Sequence, residues 1–292
     1  MMTELNRFKG TFHFGRSMAV PKKVCERLAA GMKRLGPIIT SQKTRDVSEA
    51  DTVTLVKDLL SDVFGYDKYA ELTGEYAIRG TYCDLAVKLD SKLVQLIEVK
   101  AIGASLDDRH VKQVIDYAAN QGVEWVILTN AITWRMYNVI FAKPIDKRLV
   151  AEIDLMTLDC RREEDQEKLF LFTKEGFVRG AQIALRDRQD ATSRFVLAAL
   201  LVANENVLGC IKRELRRVVD VIVNDDEILA VLREEVIKRD TLEGPAADEA
   251  NARVNRRETR LLRKPRETDV QPMPQPAPTE TLLESLPATD EV

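Results

Sequence analysis

The stretch YCDLAVKLDSKLVQLIEVK, residues 82–100, decides the fold. It divides into two short alternating apolar runs, Tyr82 to Asp90 and Leu93 to Lys100, and each reads as a strand. If the two form a hairpin turning on Asp90-Ser91-Lys92, the register centres on Ser91 and sets Asp84 directly opposite Glu98. Opposed side chains share a face, so their Cβ atoms would stand ~4.5 to 5.5 Å apart, close enough for both carboxylates to hold one divalent cation. Lys100, two residues past Glu98, lies on that same face.

These residue types suit metal-dependent hydrolysis of a phosphodiester. The substrate is anionic and repels hydroxide, so the reaction needs positive charge on the phosphoryl oxygens and a nucleophile formed near neutral pH. Mg²⁺, with Mn²⁺ as a substitute, would supply both from hard oxygen ligands while keeping several waters. Lys100 would orient the attacking water or stabilise the charge that develops on phosphorus. A Glu-x-Lys in an amphipathic strand also fits a solvated face with a cross-strand charge pair.

Two helices add candidate residues. The first runs from Ser48 to about Phe64, with Ser48 as its cap and Asp51 at the third helical position. Counting from Glu49 by threes and fours gives Val53, Val56, Leu60 and Val63, which places Glu49 on the inward stripe. An unpaired carboxylate there is costly, and a bound metal would compensate. The alternative is a solvated first-turn residue that complements the helix dipole. The second helix, about Leu106 to Asn120, carries Gln113 and Tyr117 on one face. A parallel crossover to the apolar run Trp125 to Leu128 would lay it against the sheet beside the carboxylates. Gln113 would then reach metal waters or a phosphate, or else be a surface residue beside a core-rim Tyr117.

The order along the chain is helix with Glu49, strand Glu75 to Arg79, strand with Asp84, strand with Glu98 and Lys100, helix with Gln113, and strand Trp125 to Thr129. This αβββαβ order, with Ser48-Glu49-Ala50-Asp51-Thr52, Phe64-Gly65-Tyr66, Tyr82-Cys83-Asp84-Leu85, Ile97-Glu98-Val99-Lys100, Gln113-Val114-Ile115-Asp116-Tyr117 and Thr129-Asn130 before Trp134 and Tyr137, resembles the PD-(D/E)xK nuclease superfamily. Within it, the chain is most similar to the N-terminal nuclease domain of type I restriction enzyme R subunits. The resemblance covers roughly residues 45 to 145 and implies a restriction-endonuclease-like α/β core with a mixed central sheet. It implies Asp84 and Glu98 as metal ligands, Lys100 as the catalytic lysine, Glu49 as the helix carboxylate, and Gln113 with Tyr117 as the Q-x-x-x-Y element. Cys83 stands where the superfamily name expects proline. No G-x-x-x-x-G-K-[ST] loop occurs in the sequence, so the motor of an R subunit is not expected here.

The chain has 292 residues, enough for one such core, a smaller lobe and a tail. Its four cysteines, Cys25, Cys83, Cys160 and Cys210, are scattered without a C-x-x-C, which fits a reduced, cytoplasmic protein. Only His13 and His110 are available, so a histidine metal site or a Ser-His-Asp mechanism is poorly supported. No apolar run reaches membrane-spanning length and the start lacks the hydrophobic region of a signal peptide.

The boundaries expected are a basic N-terminal helical arm over 1–44, the core over 45–145, a helical lobe over 146–240 and a disordered Pro-rich tail over 241–292. The arm holds a helix from Lys22 to Leu35 that would offer Lys33 and Arg34 to phosphates, or simply a solvated face. The lobe is expected as helices over Glu164 to Phe170, Thr192 to Val218 and Asp226 to Lys238. The apolar stretch 194–218 suits core packing or a homodimer contact. In the tail, a cationic group from Arg253 to Arg266 would tether DNA or serve as a solubilising linker.

The function expected is a Mg²⁺-dependent DNA endonuclease of restriction or phage-defence type, acting alone, as a homodimer or with a separate motor or specificity subunit. The alternative is a nuclease-fold accessory subunit that binds nucleic acid without useful cleavage. RNA remains an open substrate, because this fold is reused for many.

Overall fold

A computed structural model describes residues 19–78 and 81–262. The chain divides into two compact units, Met1–Thr192 and Ser193–Val292. In the first, six strands form one sheet in sequence order: β1 (Leu72–Ile78), β2 (Thr81–Leu89), β3 (Lys92–Val99), β4 (Trp125–Thr129), β5 (Thr133–Ile140) and β6 (Asp146–Asp154). Every neighbouring pair is antiparallel except β3 and β4, which run parallel. Parallel neighbours need a crossover, and helix α3 (Asp108–Gln121) supplies it. With α2 (Glu49–Asp62) ahead of β1, this is the αβββαβ order expected from the sequence, extended by two further strands.

The hairpin between β2 and β3 has a tighter turn than expected. Leu89 pairs with Lys92, leaving Asp90 and Ser91 as a two-residue loop with φ of 48° and 63°. Positive φ at both positions is the type I′ geometry, whose twist suits a hairpin. That turn alone would pair residues whose numbers sum to 181, opposing Asp84 to Ile97. A β-bulge intervenes: Val87 pairs with Gln95 but Lys88 with Leu93, so Val94 is extra. Beyond it Leu85 pairs with Ile97, a sum of 182, and this register continued by one residue sets Asp84 opposite Glu98.

Alternation along the strands builds two apolar layers. Leu85, Val87, Ile97 and Val99 join Val56, Leu60, Trp134 and Phe172 in one cluster, while Ala86 and Leu96 join Val111, Val114, Ala118 and Leu128 in the other. Helix α3 faces the second layer with Val111, Val114, Ile115 and Ala118. Asp107 caps its start by accepting from the Arg109 and His110 N–H groups, and Gly122 ends it with φ of 66°.

The N-terminal helix α1 is longer than expected, Lys22–Arg45, and continues through Gly36 and Pro37. It is no separate arm. Val24, Leu28, Gly31, Leu35 and Ile39 bury one stripe in the first core cluster, and a Cβ on Gly31 would lie 2.8 Å from the Asp62 carbonyl oxygen. Arg27 donates to the Val63 and Phe64 carbonyls at the end of α2 and pairs bidentately with Glu175 at 2.6 Å. Such a fork satisfies orphan helix-end carbonyls and ties three segments at once.

The helical lobe expected from 146 is also divided differently. Strand β6 and helices α4 (Glu163–Phe170), α5 (Lys174–Val178) and α6 (Ala181–Ala191) belong to the first unit. The second unit begins at Ser193, which caps α7 (Arg194–Ala203). The single helix expected over Thr192 to Val218 breaks at Asn204, whose side chain caps α8 (Glu205–Val219), and the two halves bend by 72°. Next come α9 (Asp225–Val231), a π-helical turn over Leu232–Val236, α10 (Arg239–Leu242) and α11 (Pro245–Leu262). Helix α11 corrects the expectation of disorder from 241, since Ala250 and Val254 pack against Ala199 of α7. The tail cations Arg263, Lys264 and Arg266 lie outside the described residues, as do the N-terminal Arg7, Lys9 and Arg16. Among the described residues no single helix is long and apolar enough to cross a membrane.

The hairpin turn yields a direct test. Asp and Ser both pay for positive φ, which Asn-Gly adopts readily. The pair Asp90→Asn and Ser91→Gly is expected to stabilise the protein by about 1 kcal/mol in urea unfolding, with the sheet unchanged. A loss of stability would contradict the turn assignment.

Candidate active site

Glu98 is the centre of the site. It lies on β3 between two hydrogen-bonded neighbours, near the end of that strand, and its side chain is only 4% exposed. Its Oε1 accepts from Lys100 Nζ at 2.7 Å, while Oε2 is buried without a hydrogen-bond partner. Asp84, half-buried on β2, accepts the Val99 N–H through Oδ2 at 2.7 Å. The bulged register thus brings Asp84, Glu98 and Lys100 together, as the sequence leads one to expect.

Glu49 joins them from a different direction than expected. Its Oε2 lies 3.7 Å from Lys100 Nζ, yet its side chain is 48% exposed. The buried stripe of α2 is Thr52, Leu55, Val56, Leu59 and Leu60, so the first turn overhangs the sheet and Glu49 stands on the rim. The inward placement is therefore corrected; the dipole-complementing alternative describes Glu49 better, with Lys100 as its neighbour.

Gln113 and Tyr117 are one turn apart on α3, as expected. Gln113 is exposed and its Nε2 donates to the Tyr117 hydroxyl at 2.9 Å. That hydrogen bond, rather than any to the carboxylates, is the one this glutamine makes in the structure.

Two contributors escaped the sequence reading. Thr52 is fully buried; its Oγ1 donates to the Ser48 carbonyl at 2.8 Å and accepts the Ile102 N–H at 3.1 Å, fastening the start of α2 to the loop after Lys100. Its signal was a polar residue among the apolar positions of the stripe. Glu75 is the second. Gly74 pairs with Leu85 and Tyr76 with Cys83, so Glu75 falls opposite Asp84, exposed and with φ of 46°. A glycine inside a strand, here Gly74, is the sequence hint of such an irregularity.

Charge is unbalanced at this site. Burial pushes the Glu98 carboxyl up to about 7; the Lys100 hydrogen bond opposes this and the Asp84 charge reinforces it. Burial also raises Asp84, against the Val99 N–H and Lys100, with Glu49 and Glu75 adding to the rise. For Lys100, burial disfavours the ammonium, but the bond to Glu98 and the charges of Glu98, Glu49 and Asp84 prevail, so its pKa is raised. Cys83, buried next to Asp84, contacts the Ile97 and Leu85 carbonyls through Sγ, and burial pushes its thiol up to about 12. It is a packed, unreactive side chain.

Among the described residues, no three His, Cys, Asp or Glu side chains are arranged as a ready metal cluster. The donor set nevertheless suits Mg²⁺, which is commonly held by one or two carboxylates and otherwise by water. The orphaned Oε2 of Glu98, facing a carboxylate across the hairpin, is the kind of buried oxygen that a cation satisfies.

No curated protein matches the chain. Among solved structures, a chain of the cryoEM structure of the DrdV–DNA complex is similar at 17% identity, over 81% of this chain and 26% of that one, with a TM-score of 0.34. This chain therefore spans about a quarter of that protein's length. A family model described as the type I restriction enzyme R protein N terminus matches residues 55–149, about a third of the chain and the segment that carries Asp84, Glu98, Lys100 and Gln113; over this segment the chain is similar to that restriction-enzyme domain.

Proposed function

We propose that this protein is a Mg²⁺-dependent nuclease that hydrolyses DNA phosphodiester bonds in restriction or phage defence. The observation that supports this best is the buried Glu98 carboxylate, bonded on one oxygen by Lys100 and unpartnered on the other, opposite Asp84. In this reading Asp84 and Glu98 hold the metal, and Glu49 contributes from the rim. Bound there, Mg²⁺ would offset the negative charge of the phosphate and make a water nucleophilic near neutral pH.

The chain's own residues have definable tasks. The bond to Glu98 and the charges of Glu98, Glu49 and Asp84 favour the Lys100 ammonium, which suits it to act as a hydrogen-bond donor. Held at 2.7 Å from Glu98, its ammonium is preorganised to hydrogen-bond a phosphoryl oxygen as charge develops there. The Val99 N–H fixes the Asp84 carboxylate and leaves Oδ1 for the metal. Gln113 would position a phosphate or a water once it releases the Tyr117 hydroxyl to which it donates. Mn²⁺ is expected to substitute for Mg²⁺, and a second copy or a motor subunit would supply a second cut or translocation.

One observation favours the second reading, an accessory subunit that binds nucleic acid without cutting it: no three-ligand cluster is assembled among the described residues. Cleavage assays separate the two. Purified protein with supercoiled plasmid, single-stranded DNA and RNA is expected to cut DNA in Mg²⁺ or Mn²⁺ and not in EDTA. Lys100→Ala should lose ~10²-fold or more in rate while retaining its fold and DNA binding, as expected for a lost transition-state donor. Full activity in Lys100→Ala or Asp84→Ala would remove the assignment, and no cleavage by the wild type would favour the accessory subunit.

Burial of Glu98 also predicts a pH effect. Its folded pKa lies above the unfolded value, so below about pH 4.5 both states are protonated and nothing is lost. As pH rises toward 7 the unfolded chain sheds its proton first, and folding stability falls. Glu98→Gln mimics the protonated form. In EDTA its stability advantage over wild type is expected to grow between pH 5 and 8, by on the order of 1 to 3 kcal/mol, and Mg²⁺ should narrow the gap by binding only the wild type. A difference that does not change with pH would refute this account.

A further inference from the structure

The last turn of α1 ends beside the candidate site. Asp46, in the left-handed conformation with φ of 47°, terminates the helix, and its carboxylate occupies the space that a side chain on Gly103 would need. Gly103 is three residues past Lys100. From Arg45 the chain reaches Glu49 in four residues, so their Cα atoms lie at most ~14 Å apart. At ~3.4 Å of axis per phosphate on one strand, this span corresponds to about four nucleotides.

Two cations occupy that last turn, Lys43 and Arg45. Both are exposed, and neither makes an ion pair or a side-chain hydrogen bond among the described residues. They are not needed to close the helix, because the Asp46 N–H and the following Val47 N–H already satisfy the Lys43 and Gln42 carbonyls. The other cations of α1 are differently placed. Arg27 is held by Glu175, and Arg34 pairs with Asp62 at the opposite end of α2, about 20 Å of helix away from Glu49. Of the acids nearest the last turn, Asp51 accepts from the Ser48 hydroxyl and Glu49 lies near Lys100, while the Asp46 carboxylate is turned over Gly103.

We propose that Lys43 and Arg45 bind backbone phosphates of the DNA strand whose reacting phosphodiester lies at Asp84, Glu98 and Lys100, and so seat the duplex across the site from the α1 side. This rests on the nuclease reading of that site. The contact is electrostatic and independent of base sequence, and it does not require the metal.

The test is fluorescence anisotropy with a labelled DNA duplex in EDTA, over a salt series from about 50 to 200 mM, across which log affinity falls linearly with log salt in proportion to the phosphate contacts. The proteins are the full chain, Lys43→Ala with Arg45→Ala, the charge-retaining Lys43→Arg with Arg45→Lys, and Lys22→Ala with Lys23→Ala at the far end of α1. The alanine pair is expected to bind about tenfold or more weakly and to lower the slope of log K against log salt by about 2, one per phosphate contact. The charge-retaining pair and the far-end pair should keep the wild-type slope. An unchanged slope in a folded alanine pair, or no duplex binding by the wild type, would overturn the proposal. Failure of the nuclease reading shows separately, as absence of Mg²⁺-dependent cleavage by the wild type.

Discussion

A carboxylate that is nearly dry and only half satisfied governs this structure. Removing an ionised Glu98 from water costs several kcal/mol, and one ammonium at 2.7 Å offsets only part of it. A site of this kind persists only where the surrounding frame cannot relax. Glu98 sits on β3, flanked by β2 and β4 with apolar layers on both faces, so the strand is held along its length. The unfavourable group is tolerated because neighbouring interactions over-determine its place, as is common where function needs a perturbed charge.

The geometry depends on one additional residue. A one-residue change in register turns every side chain of a strand to the other face. The type I′ turn at Asp90-Ser91 by itself would separate the two carboxylates, and the bulge at Val94 returns them to opposition. On the other side of the site, Thr52 and the Asp46–Gly103 contact fix the start of α2, so the rim residue Glu49 inherits its position from the loop after Lys100. The far end of α2 is tied by Arg27 to α1 and α5. The sheet that carries the candidate site and the N-terminal helices therefore form one mechanical unit, and α1 is part of the scaffold.

Much of this was legible in the residues. The opposition of Asp84 and Glu98 followed from strand alternation, although through a three-residue turn; a two-residue turn plus a bulge gives the same register, and periodicity alone does not distinguish them. The helix with Gln113 was visible from its apolar spacing and its ends. What failed did so for tertiary reasons. Gly36-Pro37 reads as a helix stop, but a stripe of buried contacts carries α1 through it. Glu49 fitted an apolar stripe by counting, yet whether a first turn covers the sheet or overhangs it depends on where the sheet ends. Strands β5 and β6 lie toward one edge and mix polar with apolar residues, Asp146–Asp154 being the outermost, so their strand character comes from pairing. The Asn204 break was concealed by unbroken hydrophobicity on both sides, though asparagine before a glutamate is a cap signal.

The distribution of charge bears on how such a site meets a polyanion. Three carboxylates, Glu98, Glu49 and Asp84, act on the single Lys100 ammonium, with Glu75 adding its charge beside Asp84, and the excess would repel a phosphodiester. A chain with net charge -3 has no general attraction for nucleic acid with which to overcome this. Binding and chemistry are then best served by separate cations: fixed ones at the periphery, where they neutralise flanking phosphates without disturbing the carboxylates, and an exchangeable one at the centre, where its arrival relieves the repulsion. On the proposed reading, the same excess of negative charge that would repel DNA from the centre would attract a divalent ion. Metal and reacting phosphate should therefore favour each other's binding, while the flanking contacts act independently of both.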